Sequence, residues 1–289
     1  MHDRRVDDRD VDELNRGYLL AAREVLKLFT KRRAPLVVDP EENIPFRVCY
    51  PLTMYALNQV GAAVLLHDRG VPYAATVNVR VAFEHAIWAE WVRLTDGGPE
   101  RVVSHWKANN VTAVQDMGVW TTLPPDLVEM VAQPREPGER PSFQAVCDRF
   151  GAKRKMIYSV YRSLNTTVHP SLDTLRRHLQ FDTEGTITGL SGDAGAVGAA
   201  GDFFWVLGWS AVLAAYVQET LQHDRGRAEQ VREIAQRYGL PVDLAGEDNS
   251  AEDQPLRQRV ARPQKRVGAG RAATDGGSEG VPAIPPASG

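Results

Sequence analysis

The chain has 289 residues, 43% of them hydrophobic, and a formal net charge of -3, which allows a sizeable core and gives no overall field favouring nucleic acid. Its two cysteines, Cys49 and Cys147, lie far apart and outside any CxxC or Cys/His spacing, which argues against a disulfide scaffold and a zinc knuckle and fits a reducing cytoplasm. The charged start MHDRRVDDRDVDEL lacks a secretory apolar region, and the longest uncharged apolar run, FFWVLGWSAVLAAYV at 203–217, is shorter than the roughly 18 to 20 residues that cross a bilayer. A cytoplasmic protein with no membrane role is expected.

Taken in chain order, residues 1–11 read as a flexible N-terminus. Asp12 or a neighbour then caps a helix carrying Leu14, Tyr18, Leu19, Ala22, Val25, Leu26 and Phe29, which ends before Pro35. A second helix spans about 52–66 and stops at DRGVP. A third spans about 74–94 and stops at DGGP. Shorter helices are predicted at 102–117, 126–131, 143–150, 153–168 and 171–179, and QFDTEGTITGL reads as a small hairpin because DTEG supplies turn chemistry between β-prone arms. The glycines of SGDAGAVGAAGD have no phosphate-loop spacing and read as a linker or helix start. An apolar helix at 202–221, flanked by polar Gln218 and Glu219, and a charged one at 227–238 complete the set. The expected fold is all-α, a multi-helix bundle with a minor β-hairpin over 12–245. Residues 246–289, rich in Gly, Pro, Ser and balanced charge, read as a disordered tail.

Two positions break the helical pattern. On the third helix Phe83, Ile87, Trp88, Trp91, Leu94 and Val77 share one arc with Arg80 and Glu84, which stand one turn apart and are able to pair. Desolvating either charge alone would cost several kcal/mol, so the two need partners. His85 points off this arc and reads as a surface residue. On the helix at 153–168, Tyr161, Asn165 and His169 form an i, i+4, i+8 row that extends an apolar arc until Pro170 ends or kinks the helix. The bland reading of both features is an ion pair fixing register and a histidine holding a helix break together. The functional readings are that the Arg80/Glu84 pair lines a polar pocket and that His169 takes a catalytic or ligand-binding role.

RVAFEHAIWAEWV at 80–92 and YRSLNTTVHPS at 161–171 resemble a family of bacterial helical proteins catalogued as domain of unknown function 5677. That family combines an Arg-x-x-x-Glu helix with a Tyr-x-x-x-Ser-x-x-x-His element followed by Pro or Gly; this chain has Asn165 in place of the serine. The family carries no established activity. The resemblance implies a helical fold over about 14–221 and convergence of Arg80, Glu84, Tyr161, Asn165 and His169.

Three functional readings follow. The leading one is a binding or scaffold domain with an internal polar cluster able to bind a small ligand, with homo-oligomerisation left open and Trp106 or Trp120 available to a partner. The second is a metal-independent RNase of the Arg-x4-6-His helical type, associated with toxins and phage defence, in which Arg162 and His169 act on RNA. Arg80 and His85 match the same spacing, and a chain with seven histidines and many arginines reaches it by chance. The third is a helix-turn-helix within FQAVCDRFGAKRKMIYSVYRSL that presents Lys153, Arg154 and Lys155 to DNA, with Val146, Cys147, Phe150, Ile157 and Val160 at its inner positions. No motif calls for a metal or a cofactor.

Overall fold

The structure is a computed structural model that describes residues 8–30, 37–118, 141–169, 178–190 and 202–242, with isolated positions 122, 125, 128 and 244. The described elements are α1 (Asp8–Thr30), a 3-10 turn (Pro40–Glu42), α2 (Asn43–Asp68), α3 (Pro72–Leu94), α4 (Gly98–Gly118), α5 (Phe143–Asp148), a second 3-10 turn (Gly151–Lys153) and α6 (Arg154–Val168). A hairpin of β1 (Leu179–Phe181) and β2 (Ile187–Leu190) precedes α7 (Asp202–Thr220) and α8 (Gly226–Arg237). The fold is all-α with one small antiparallel hairpin, as the sequence predicts. Among the described residues no helix is long and apolar enough to cross a membrane.

The apolar helix α7 determines the arrangement. Phe203, Val206, Leu207, Trp209, Ala211, Val212, Leu213, Ala214, Ala215 and Val217 are all buried, so no side of the helix is left for water. Fully burying each large aliphatic or aromatic side chain is worth about 1.5–3 kcal/mol, and α1, α2, α3 and α8 supply the covering surfaces. Small residues set how closely they approach. At Gly208 an added Cβ would lie 2.9 Å from the Tyr18 carbonyl oxygen and 3.2 Å from Leu240 Cδ1, so α1 and α7 meet there with no room for a side chain.

Helices α2 and α3 form an antiparallel pair. Cys49 Sγ donates to the Ala89 carbonyl (3.4 Å), the Tyr55 and His85 rings lie 4.7 Å apart, and Asn78 Nδ2 donates to Gln59 Oε1 (2.7 Å). The turn between them follows local chemistry: Gly70 takes φ 75°, Val71 N donates back to Leu66 O (3.0 Å), and Pro72 opens α3, where its missing N–H has no intrahelical partner to lose. Helix α8 is clasped to α1 at its far end, where Tyr238 Oη donates to Glu24 Oε1 (2.8 Å) and Arg237 meets Glu24 Oε2 (2.9 Å). Helices α5 and α6 pack mainly on α3 and on each other, to one side of this bundle. In the hairpin, Asp182 Oδ1 accepts from the amides of Glu184 (2.9 Å) and Thr186 (2.8 Å), and Gly185 takes φ 85°, so DTEG makes the turn expected of it.

Several boundaries and faces differ from expectation. α1 begins at Asp8, so residues 8–11 belong to the helix and not to a flexible end, and Leu14 is 54% exposed because α1 reaches past the helices that cover it. α2 starts nine residues early and carries Pro51 inside; burial of Val48, Cys49 and Leu52 holds the turn that proline weakens. Val77, placed on the buried arc of α3, is 51% exposed, and His85 is half-buried against Tyr55. Gln218 and Glu219 end up inside the protein, at 0% and 1% exposure. The predicted helices at 126–131 and 171–179, Trp120 and the tail lie wholly or mostly outside the described residues.

Gly208→Ala should lower the free energy of unfolding by about 1–3 kcal/mol through overpacking. Gly61→Ala, whose Cβ would meet only Leu26 Cδ2 at an ordinary 3.9 Å, should raise it by about 0.5–1 kcal/mol through helix propensity. Urea unfolding of the two variants checks both signs.

Candidate functional site

Four of the five residues expected to converge do so, between α3 and α6. Arg80 Nε donates to Asn165 Oδ1, Arg80 Nη2 donates to Tyr161 Oη (3.3 Å), and the same nitrogen lies 3.6 Å from Glu84 Oε2. The guanidinium also sits over the Tyr161 ring, 5.3 Å from its centre. Tyr161 is held in turn by Phe143 of α5 (4.2 Å between centres) and Tyr158 (6.2 Å). The helix register that creates this meeting is simple. Arg80 and Glu84 are one turn apart on α3, Tyr161 and Asn165 are one turn apart on α6, and the helices run antiparallel, so one guanidinium spans both rows.

The arrangement is a tie more than a pocket. Arg80 and Glu84 side chains are 20% and 28% exposed, and the polar contacts Arg80 makes all go to partners within the cluster. His169 does not join it. Tyr73, next to the start of α3, already donates its hydroxyl to the Thr167 carbonyl (3.2 Å), so α6 runs past the end of α3 before it reaches His169. There His169 is exposed and extended (φ -99°, ψ 153°), the conformation that a following proline imposes. Arg162 is exposed as well. Arg80 and His85 are not brought together: Arg80 reaches α6, whereas His85 Nδ1 lies 2.8 Å from the Val81 carbonyl and its ring faces Tyr55 of α2.

Ile157 is fully buried and Tyr158 half-buried, while Arg154, Lys155 and Met156 are exposed and Lys153 is half-buried. Val146, Cys147 and Phe150 are buried beneath the α5–α6 corner, where Gly151 takes φ 51°. Burial, reinforced by the neighbouring Asp148 charge and partly offset by a backbone hydrogen bond, pushes the Cys147 thiol up to about 12.

A second polar assembly escaped the sequence reading. Glu90 is completely buried and is gripped in a fork by Arg93, whose Nε and Nη2 donate to its two oxygens at 2.7 and 2.8 Å. Arg93 lies over the Tyr216 ring of α7 (5.8 Å). Arg232 of α8 also lies over that ring (5.4 Å), donates to Tyr216 Oη (2.7 Å) and holds both oxygens of Glu229 at 2.5 and 2.6 Å. Burial works against the Arg232 charge, but Glu229 and Tyr216 outweigh it and raise its pKa. The signal was the run AIWAEWVRL, where a carboxylate stands on a helix with little polar surface around it. Nearby, Thr53 Oγ1 donates to Gln218 Oε1 (3.2 Å) and Gln222 Nε2 to Glu219 Oε2 (2.9 Å). Among the described residues no group of three or more His, Cys, Asp or Glu is placed to hold a metal ion.

Comparison with family models, curated proteins and solved structures finds no match to this chain. Fold and site together define an all-α bundle with two internal polar assemblies, one bracing α6 and the other joining α3, α7 and α8.

Two outcomes follow. Arg93→Ala leaves the Glu90 carboxylate buried without its counter-charge and should cost about 3–5 kcal/mol, whereas Arg80→Ala, whose partners are reachable by water, should cost about 1–2 kcal/mol in the same denaturation assay. The thiol of Cys147 binds its proton more tightly in the folded chain. Its contribution to stability is therefore complete below its ordinary value of 9.0 and is lost as pH rises toward about 12. Cys147→Ala should lack that loss, so urea midpoints of wild type and variant should draw together across this alkaline window.

Proposed function

We propose that this chain is a helical binding domain whose α6 presents its outer side to a nucleic-acid phosphate backbone, with the Arg80 cluster bracing the helix from behind. One observation carries the reading. From Arg149 through His169 there are five lysines and arginines and no aspartate or glutamate, and Arg149, Arg154, Lys155 and Arg162 are exposed together with Ser159 and Ser163. Guanidinium, ammonium and hydroxyl donors without a competing carboxylate suit phosphate oxygens. Lys155 and Arg162, two turns apart, are separated by about 10 Å along the axis, close enough to meet one stretch of backbone. The net charge of -3 is no obstacle, because salt screens distant charges beyond about 10 Å. The inner side of α6 supports the same reading: Ile157 and Leu164 anchor it in the core, and Arg80 fixes its rotation through Asn165 and Tyr161.

A second reading, metal-independent RNA cleavage, is favoured by the joint exposure of Arg162 on α6 and His169 directly after its end. A cation at the phosphate and an imidazole at the 2'-hydroxyl are the groups such a reaction needs.

One experiment addresses both. Labelled single-stranded RNA, single-stranded DNA and duplex DNA are titrated with the full chain across a salt series, and the RNA is then run on a denaturing gel. Binding should weaken linearly in log-log salt plots, and the double variant Lys155→Ala, Arg162→Ala should reduce the slope by about 2 without changing the melting temperature. Absence of binding at low salt, or an unchanged slope in the double variant, rejects the binding reading. Cleavage that disappears in His169→Ala supports the second reading, and intact RNA rejects it.

A further inference from the structure

Where α3, α7 and α8 meet, the protein carries a cleft of about 120 Å³ whose charged and aromatic lining is Glu42, Arg93, Tyr216, Arg225, Glu229 and Arg232. Much of that charge is matched from within. Arg93 is committed to buried Glu90 through two hydrogen bonds, and Arg232 to Glu229 through two more and to the Tyr216 hydroxyl through a third. One lining residue of each sign remains. Neither Arg225 nor Glu42 makes a side-chain hydrogen bond or ion pair, with each other or with any other residue described.

That pattern discriminates between ligand classes. A simple anion at Arg225 would face the unmatched carboxylate of Glu42 across a small space, and a simple cation at Glu42 would face the unmatched guanidinium of Arg225. A molecule with both charges a few bonds apart satisfies both free groups and leaves the matched pairs undisturbed. Arg225 is also the N-cap of α8, so an anionic group bound to it sits at the positive end of that helix. The volume suits a small molecule.

We propose that this cleft is a binding site for a compact zwitterion carrying a primary ammonium and a carboxylate, the chemical class of the free α-amino acids. Its ammonium is held by Glu42 and its carboxylate by Arg225. Tyr216, fixed by Arg232 and lying under Arg93, forms the wall against which the remainder of the molecule rests. Neither free group is on α6, so the outcome is independent of the nucleic-acid reading.

The test is a thermal-shift screen of the full chain against the twenty proteinogenic amino acids at millimolar concentration, followed by calorimetric titration of the strongest binder. Its methyl ester, which keeps only the ammonium, its N-acetyl derivative, which keeps only the carboxylate, and inorganic phosphate serve as single-charge probes. At least one amino acid should raise the melting temperature, each single-charge probe should bind at least tenfold more weakly, and Glu42→Gln and Arg225→Gln should each weaken binding at least tenfold. Because both side chains lack protein partners, the two variants should melt like wild type without ligand. The proposal is overturned if no amino acid binds, if phosphate or either derivative binds as well as the parent, or if Glu42→Gln keeps full affinity.

Discussion

The arrangement of this protein depends on the need to keep α7 out of water. A helix apolar on every side cannot lie at a surface, and a single neighbour covers only one stripe of it. Four helices are recruited, and the close backbone approach at Gly208 shows how tightly one of them, α1, is drawn in. The rest of the design follows from that demand. α2 and α3 must be long enough to flank α7, which is why α2 runs through Pro51, and α8 must fold back across it and be fastened to α1 through Glu24.

A sheath of this kind forces polar groups inside wherever a helix has charges on its covering side. The protein resolves the conflict in two ways. At Glu90 the solution is local and complete: Arg93, one turn away, meets both carboxylate oxygens, and the pair leans on Tyr216. At Arg80 it is distributed, since the guanidinium divides its donors among an amide, a phenol and a carboxylate on two helices. The carboxylate of the first pair is out of water and bears on core stability. The second is reachable by water and bears on the orientation of α6.

Helical periodicity made the element order, the hairpin turn and the dominance of the 203–217 run legible, because each is decided by neighbours within one or two turns. It also marked Arg80 with Glu84 and Tyr161 with Asn165 as rows, since i and i+4 positions share a helix face in any packing, whereas the meeting of the two rows was implied only by the family resemblance. What it missed depended on where helices end relative to each other. His169 fits the Tyr161 row on paper, but α3 stops before it can cover that position. Glu90 and Arg93 are spaced i, i+3 on one helix, a spacing that by itself says nothing of burial, and the approach of α7 and α8 makes the pair a buried one. Gln218 and Glu219 resemble the polar end of an apolar helix, yet their burial is decided by partners distant in sequence, Thr53 among them.

Helices α5 and α6 rest mainly on α3, and a water-accessible cluster forms much of that seam. The protein is therefore built in two tiers of cooperativity. The bundle around α7 is closed by buried contacts from four helices, whereas among the described residues the α5–α6 corner rests mainly on α3, through a few buried side chains and the Arg80 cluster. Native-state hydrogen exchange in such a molecule would divide along that seam, with the corner opening as a unit at a lower free energy than the bundle. A partner that engages α6 would act on this smaller equilibrium, ordering or releasing the corner while the sheath around α7 remains closed.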